Sequence, residues 1–189
     1  MSELVYSLGR KVHLVTERMV LCQFEPTDVG LMVELDSDPE VTRFINGGQP
    51  IGVEVETSFI EAILAGYVRH PGYGFFAALG REDGTFLGWF HYRPDRVDPS
   101  FMQIGYRLKR DFWGKGFATE GSRALIATGL EAGVHLVSGR AMKANVASVR
   151  VLEKLGLALV EEYQEDRFPG YDKTAVLLRG NFSARVCRN

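Results

Sequence analysis

Gly114 and Gly116 lie within the stretch Ile104-Gly105-Tyr106-Arg107-Leu108-Lys109-Arg110-Asp111-Phe112-Trp113-Gly114-Lys115-Gly116-Phe117-Ala118-Thr119-Glu120-Gly121. It reads as a strand, a short glycine loop and the first turn of a helix. Glycines let a backbone approach a ligand without a Cβ in the way. The free N–H groups and the positive end of the helix that follows make an anion site. A diphosphate-bearing cofactor suits such a site, although a glycine pair by itself also makes a plain turn. A nucleotide-triphosphate loop needs a Lys-Ser/Thr pair after its last glycine, and here Phe117 follows Gly116. A dinucleotide turn needs a third glycine where Thr119 stands, followed by a parallel crossover. A second constellation runs from Asn145 to Leu157. Asn145 is a natural N-cap, Val149, Leu152 and Leu155 share a face, and Gly156 is a natural stop. Asn145 and Ser148 would be small polar groups at the open end of a sheet, able to hold an amide-rich arm or donate a proton.

The elements that must position these residues follow from periodicity. Residues 11–24 alternate after Arg18 as a strand does. Pro26 suits a first helical turn, with Val29, Met32 and Val33 on one face. Asp38-Pro39 starts a second helix that Asn46-Gly47-Gly48 stops, and residues 53–69 carry Phe59, Ile60, Ile63, Leu64 and Tyr67 at helical spacing. The period then becomes two. Gly74–Leu79 and Phe86–Tyr92 flank the turn Arg81-Glu82-Asp83-Gly84, and Phe101–Leu108 is a third strand after the turn Pro94–Ser100. Thr119–Glu131 reads as a helix, His135–Met142 as a strand and Val146–Leu155 as a helix. Leu157–Tyr163 and Lys173–Leu178 read as two last strands joined by the loop 164–172. The pattern is α/β, a mixed sheet within a single domain over residues 1–189.

The 189 residues, 46% apolar and 24% charged, suit one globular core. A net charge of −2 gives no pull toward nucleic acid or an anionic membrane. There is no long apolar run and no leader in Met1–Tyr6, so no membrane role and a cytoplasmic location are expected. Cys22 and Cys187 read as isolated reduced thiols, and His13, His70, His91 and His135 lack zinc-ligand spacing, so no metal is expected.

The two constellations, in this order, resemble the GNAT superfamily of N-acetyltransferases, and within it the ribosomal-protein-acetylating (Rim-type) branch. The likeness rests on Ile104-Gly105-Tyr106-Arg107-Leu108, on Trp113-Gly114-Lys115-Gly116-Phe117-Ala118-Thr119-Glu120, on Asn145 through Leu157, and on the opening Thr16-Glu17-Arg18-Met19-Val20-Leu21. It covers roughly residues 11–180. It implies a mostly antiparallel sheet, flanked by helices and splayed between two parallel strands, here Phe101–Leu108 and His135–Met142, with acetyl-CoA as co-substrate. In that family the backbones of Tyr106 and Leu108 would pair with the pantetheine arm. The loop after Trp113, through the N–H groups of Gly114, Lys115, Gly116, Phe117 and Ala118, would cradle the pyrophosphate. Thr119 would cap the helix and touch a phosphate, Asn145 would bond the arm, and Ser148 would lie near the sulfur.

The resemblance further implies attack of a neutral primary amine on the thioester. The Leu108 N–H would stabilise the oxyanion and Ser148 would protonate the leaving thiolate. Many relatives carry a glutamate base where this chain has Gln103, which takes no proton at neutral pH. Alternation puts His91 on a face with Leu87 and Trp89, either as a base or as a histidine satisfied within the sheet. Glu162, Glu165 and Asp166 could draw a cationic acceptor or be solvated charge, while Tyr163 and Tyr171 read as packing residues. The acceptor is expected to be a protein N-terminus or a small-molecule amine, shaped by residues 25–72 and 164–172. Alternatives are a catalytically silent CoA-binding sensor, or a transferase using a longer acyl-CoA or an aminoacyl donor. Phe168-Pro169-Gly170-Tyr171 would pack either against the partner of a homodimer or on itself.

Overall fold

The computed structural model describes residues 9–165 and 173–182. The expectations on Met1–Tyr6, Asp166, Phe168–Tyr171 and Cys187 lie outside them. Among the described residues eight strands form one sheet in the order β1-β2-β3-β4-β5-β6-β8-β7, and the chain also forms five α-helices there. Among the described residues β5 with β6 is its one parallel pair, so the expected mixed, mostly antiparallel α/β sheet is what the chain builds. The described residues gather into two compact units, 9–91 with 106–117, and 92–105 with 118–165 and 173–182.

In the first unit the expected strand at 11–24 is a hairpin of β1 (Val12–Val15) and β2 (Met19–Cys22). Thr16 breaks it: its hydroxyl accepts from the Met19 N–H at 2.9 Å, and its own N–H donates to the Met19 carbonyl at 2.8 Å. β2 lies between β1 and β3, and all four of its residues are buried, so its pattern is not one-sided. A turn of 3-10 helix at Pro26–Asp28 leads into α1 (Val29–Ser37). α1 buries Met32, Leu35 and Asp36, so the periodic apolar face missed its one buried carboxylate. α2 (Pro39–Asn46) starts where expected, with the Asp38 side chain accepting from the Glu40 N–H at 2.9 Å, and ends at Gly47. α3 (Val53–Arg69) buries Ile60, Ile63 and, unexpectedly, Glu56.

β3 (Gly74–Gly80) and β4 (Phe86–Pro94) flank the expected turn, where Gly84 adopts a φ of 71°. β4 is buried from Phe86 through Tyr92 on successive residues, so His91 does not stand on a single inward face opposed to a wet one. Met32, Leu35, Ile60, Ile63, Ala77, Leu79, Phe86 and Trp89 form the core of this unit.

In the second unit β5 (Met102–Leu108) begins beside β6 (Leu136–Met142), with Met102 opposite Val137 and Gln103 opposite Ser138. β6 pairs antiparallel with β8 (Thr174–Asn181) from Leu136↔Asn181 to Met142↔Ala175. β7 (Ala158–Gln164) closes the edge. α4 (Phe117–Glu131) buries Leu125 and Ile126, and α5 (Val146–Lys154) buries Leu152. Asp95 ties this unit together. Its carboxylate accepts from Ser138 Oγ at 2.6 Å and from the Arg140 guanidinium at 2.6 and 2.9 Å.

Candidate functional site

The glycine loop comes directly after β5. A short 3-10 turn, Arg110–Phe112, carries the chain to Trp113, whose Nε1 donates to the Leu108 carbonyl at 2.8 Å. That bond fastens the loop to the strand end. Gly114 and Gly116 have φ of 71° and 86°, left-handed values that favour glycine. A Cβ at Gly114 would meet nothing within 4 Å, so the backbone there is open to a ligand. α4 begins at Phe117, two residues earlier than expected, and Thr119 therefore stands third in the helix instead of capping it. The first-turn N–H groups of α4, from Phe117 onward, lack partners within the helix.

Arg18 was not singled out in the sequence for this role. Its NH1 donates to the Lys115 carbonyl at 2.9 Å, and its guanidinium lies 4.1 Å from the Phe117 ring centroid. The link spans 97 positions, so no local pattern could show it. It adds a fixed positive charge to the loop, and an anion is the matching guest.

The first unit thus brings together Tyr106, Leu108, Trp113, Gly114, Lys115, Gly116 and Phe117. Tyr106 is half-buried, its ring 6.0 Å from that of Phe90, and Leu108 is buried. A close approach fixes this strand end. The Gly88 φ is 135°, and a Cβ there would collide with the Arg107 carbonyl and Leu108 Cα. The second unit holds Ala118, Thr119, Asn145 and Ser148. Asn145 is the N-cap of α5, with Oδ1 accepting from the Ser148 N–H at 3.1 Å, which leaves the Asn145 amide N–H groups as donors.

Other expected groups are engaged elsewhere. Gln103 accepts from Arg93 NH2 at 2.9 Å. Glu162 lies in β7 and pairs with Lys143 at 2.7 Å. His91 is buried, with its ring 5.1 Å from Phe75 and 6.0 Å from Trp89.

A further cluster lies in the first unit and was not read from the sequence. Arg107, on β5 between Tyr106 and Leu108, forms an ion pair with the fully buried Asp36. Its guanidinium also lies 5.1 Å from the Trp89 ring. Glu56, 2% exposed, faces Asp36. Burial first, then the adjacent Asp36 carboxyl and its charge, push the Glu56 carboxyl up to about 7, against the pull of Arg107. Asp36 Oδ1, Glu56 Oε2, Arg107 Nε and Trp89 Nε1 are buried without a hydrogen-bond partner in the protein. Among the described residues no group of histidine, cysteine and carboxylate side chains is arranged to hold a metal, and no helix is long and apolar enough to cross a membrane.

The sequence profile of the acetyltransferase (GNAT) domain matches residues 18–158, from the arginine beside the loop to the first residue of β7. The chain belongs to the GNAT acetyltransferase family. Members of that family are acetyl-CoA-dependent acyltransferases. FsC-acetyl coenzyme A-N(2)-transacetylase of Aspergillus fumigatus is 29% identical over 144 residues, 69% of this chain and 58% of that enzyme. The uncharacterized N-acetyltransferase p20 of Bacillus licheniformis is 27% identical over 160 residues, 80% of this chain and 87% of its own length. Among solved structures, the Salmonella typhimurium acetyl transferase that modifies the N-terminal serine of ribosomal protein L7/L12 superposes with a TM-score of 0.76. It is 15% identical, over 92% of this chain and 100% of that one, and so shares the fold.

Proposed function

We propose that this chain transfers the acetyl group of acetyl-CoA to a primary amine, either a protein N-terminus or a small molecule. The observation that carries the reading is the loop Trp113–Phe117: two left-handed glycines, an open backbone, the start of α4 and the Arg18 guanidinium. These features fit a pyrophosphate, with the N–H groups of Gly114, Lys115, Gly116, Phe117 and Ala118 as donors. When bound, acetyl-CoA supplies an activated thioester carbonyl and a thiolate leaving group.

The chain's residues supply the rest. The backbones of Tyr106 and Leu108 align the pantetheine arm as an added strand would, and the Asn145 amide holds it. The Leu108 N–H donates to the oxygen on which charge develops. The Trp113 bond to the Leu108 carbonyl fastens the next peptide, Leu108–Lys109, at the strand end. The Ser148 hydroxyl donates a proton toward the sulfur, which has a pKa near that of free cysteine, about 8.5. An ammonium acceptor of pKa about 10.4 must first lose a proton. Of the three similar proteins named above, one is an N(2)-transacetylase and another modifies an N-terminal serine, and both support an amine as acceptor.

The test is thiol release from acetyl-CoA with a panel of amino acids, polyamines and short peptides. Turnover is expected with at least one amine, reduced at least tenfold by Ser148→Ala and abolished by Gly116→Trp. Gln103, held by Arg93, favours one second reading, a CoA-binding sensor without turnover. Saturable CoA binding with no amine turnover would select it.

A further inference from the structure

The reaction proposed above needs a base, and Gln103 cannot be one. One cluster in the first unit sets two buried carboxyl groups, Asp36 and Glu56, against the Arg107 guanidinium. Two buried carboxylates and one cation leave one negative charge in excess, and burial makes that charge costly unless a proton joins the pair. Asp36 Oδ1 and Glu56 Oε2 are both buried acceptors without a partner in the protein. Arg107 stands on β5 between Tyr106 and Leu108, the two residues whose backbones would align the acyl donor. The pair is therefore anchored to the strand on which the reaction would take place.

We propose that the Glu56–Asp36 carboxyl pair, held by Arg107, is the base that takes the proton from the acceptor's ammonium. This rests on the acetyl-transfer reading. The ammonium proton moves to Glu56 Oε2, directly or across one water, leaving a neutral amine and a protonated carboxyl. The amine lone pair forms the N–C bond to the acetyl carbon as the C–S bond breaks. The remaining excess proton on nitrogen leaves with the thiolate as a thiol, and Glu56 returns its proton to water. Asp36 positions and tunes Glu56. Arg107 holds Asp36 in an ion pair, which fixes the carboxyl against which Glu56 is set.

The groups facing Glu56 are Asp36 from α1 and Arg107 from β5. His91, on β4, stands beside Trp89. Neighbouring charges are satisfied separately, Lys109 with Glu34 at 2.7 Å and Arg110 with Asp38 at 3.2 Å. A carboxyl that titrates near 7 holds or releases its proton at the operating pH, which is what a general base needs.

The experiment compares wild type, Glu56→Gln and Asp36→Asn by two readouts. The first is the pH profile of amine acetylation. The second is carboxyl titration of the free protein by carbon-13 NMR, which needs no substrate. Wild type should show a carboxyl titrating near pH 7 and an acid limb of kcat/KM at the same pH. Glu56→Gln should lose that resonance and limb, and about 10²–10⁴-fold in kcat, with KM for acetyl-CoA unchanged. Its CoA-dependent rise in Tm should match wild type, which shows that it is folded. Asp36→Asn, the check if Glu56→Gln fails to fold, should move the limb to lower pH. A Glu56→Gln enzyme with the wild-type rate and limb, or an unmoved limb in Asp36→Asn, would overturn this assignment and leave the acetyl-transfer reading standing. No turnover of any amine by wild type would remove both.

Discussion

At the scale of single residues, the buried acids set how stability varies with pH, and they act in opposite directions. Burial pushes the Asp95 carboxyl up, but hydrogen bonds from Arg140, Ser138 and the Val97 N–H outweigh it and hold the group well below the usual carboxylate range. A depressed folded-state value contributes stability above the unfolded value of about 3.9, lost as pH falls below it. Glu56 is raised to about 7, so the folded state binds the extra proton and stability falls as pH rises from about 4.3 to about 7. Melting Glu56→Gln at pH 5 and pH 8 checks this: the wild-type drop between the two should shrink. Asp95→Ala, which leaves the part-buried Arg140 uncompensated, should cost about 3 kcal/mol in urea unfolding at pH 7. Neither acid was legible as buried in the sequence. Asp36 and Glu56 sit in helices whose apolar spacing is complete without them, and their partner Arg107 is 71 positions away from Asp36.

At the scale of elements, the close approach of β4 to the end of β5 is the feature most sensitive to change. Gly88→Ala would push against the Arg107 carbonyl and Leu108 Cα and strain a φ of 135°. The expected result is a lower Tm together with weaker CoA binding, because the displaced peptide is the one that would meet the acyl group. Asn145→Ala removes the cap of α5 and should cost about 1 kcal/mol by thermal or urea melting, with weaker CoA binding as well. The helices were legible because Asp38, Asn145, Gly47 and Gly156 carry stop and start chemistry that depends on near neighbours only. β2 and β4 were less so. A strand covered on both faces loses its alternation, and the period that announces a half-wet strand then says nothing of which way His91 points.

At the scale of the whole molecule, the mixed sheet and the order of elements after residue 24 followed from the sequence, while the single strand expected over 11–24 is two. The glycine turn after β5 was legible in the sequence, and Phe117 and Thr119 set it apart from the two common nucleotide loops. Arg18 beside that loop was not, since only the folded chain joins positions so far apart. A ligand that binds only the folded state raises its stability by about 2.7 kcal/mol at 100 times its Kd, roughly 5–10 °C for a chain of this size. Acetyl-CoA should do this, and Gly116→Trp should abolish the rise while leaving the unliganded Tm close to wild type. The most direct test of acetyl transfer is thiol release from acetyl-CoA in the presence of a panel of primary amines, with the product identified by mass. The account predicts thiol and N-acetylated amine formed in equal amounts with at least one of them. Absence of both thiol release and any CoA-dependent rise in Tm at millimolar acetyl-CoA would contradict it.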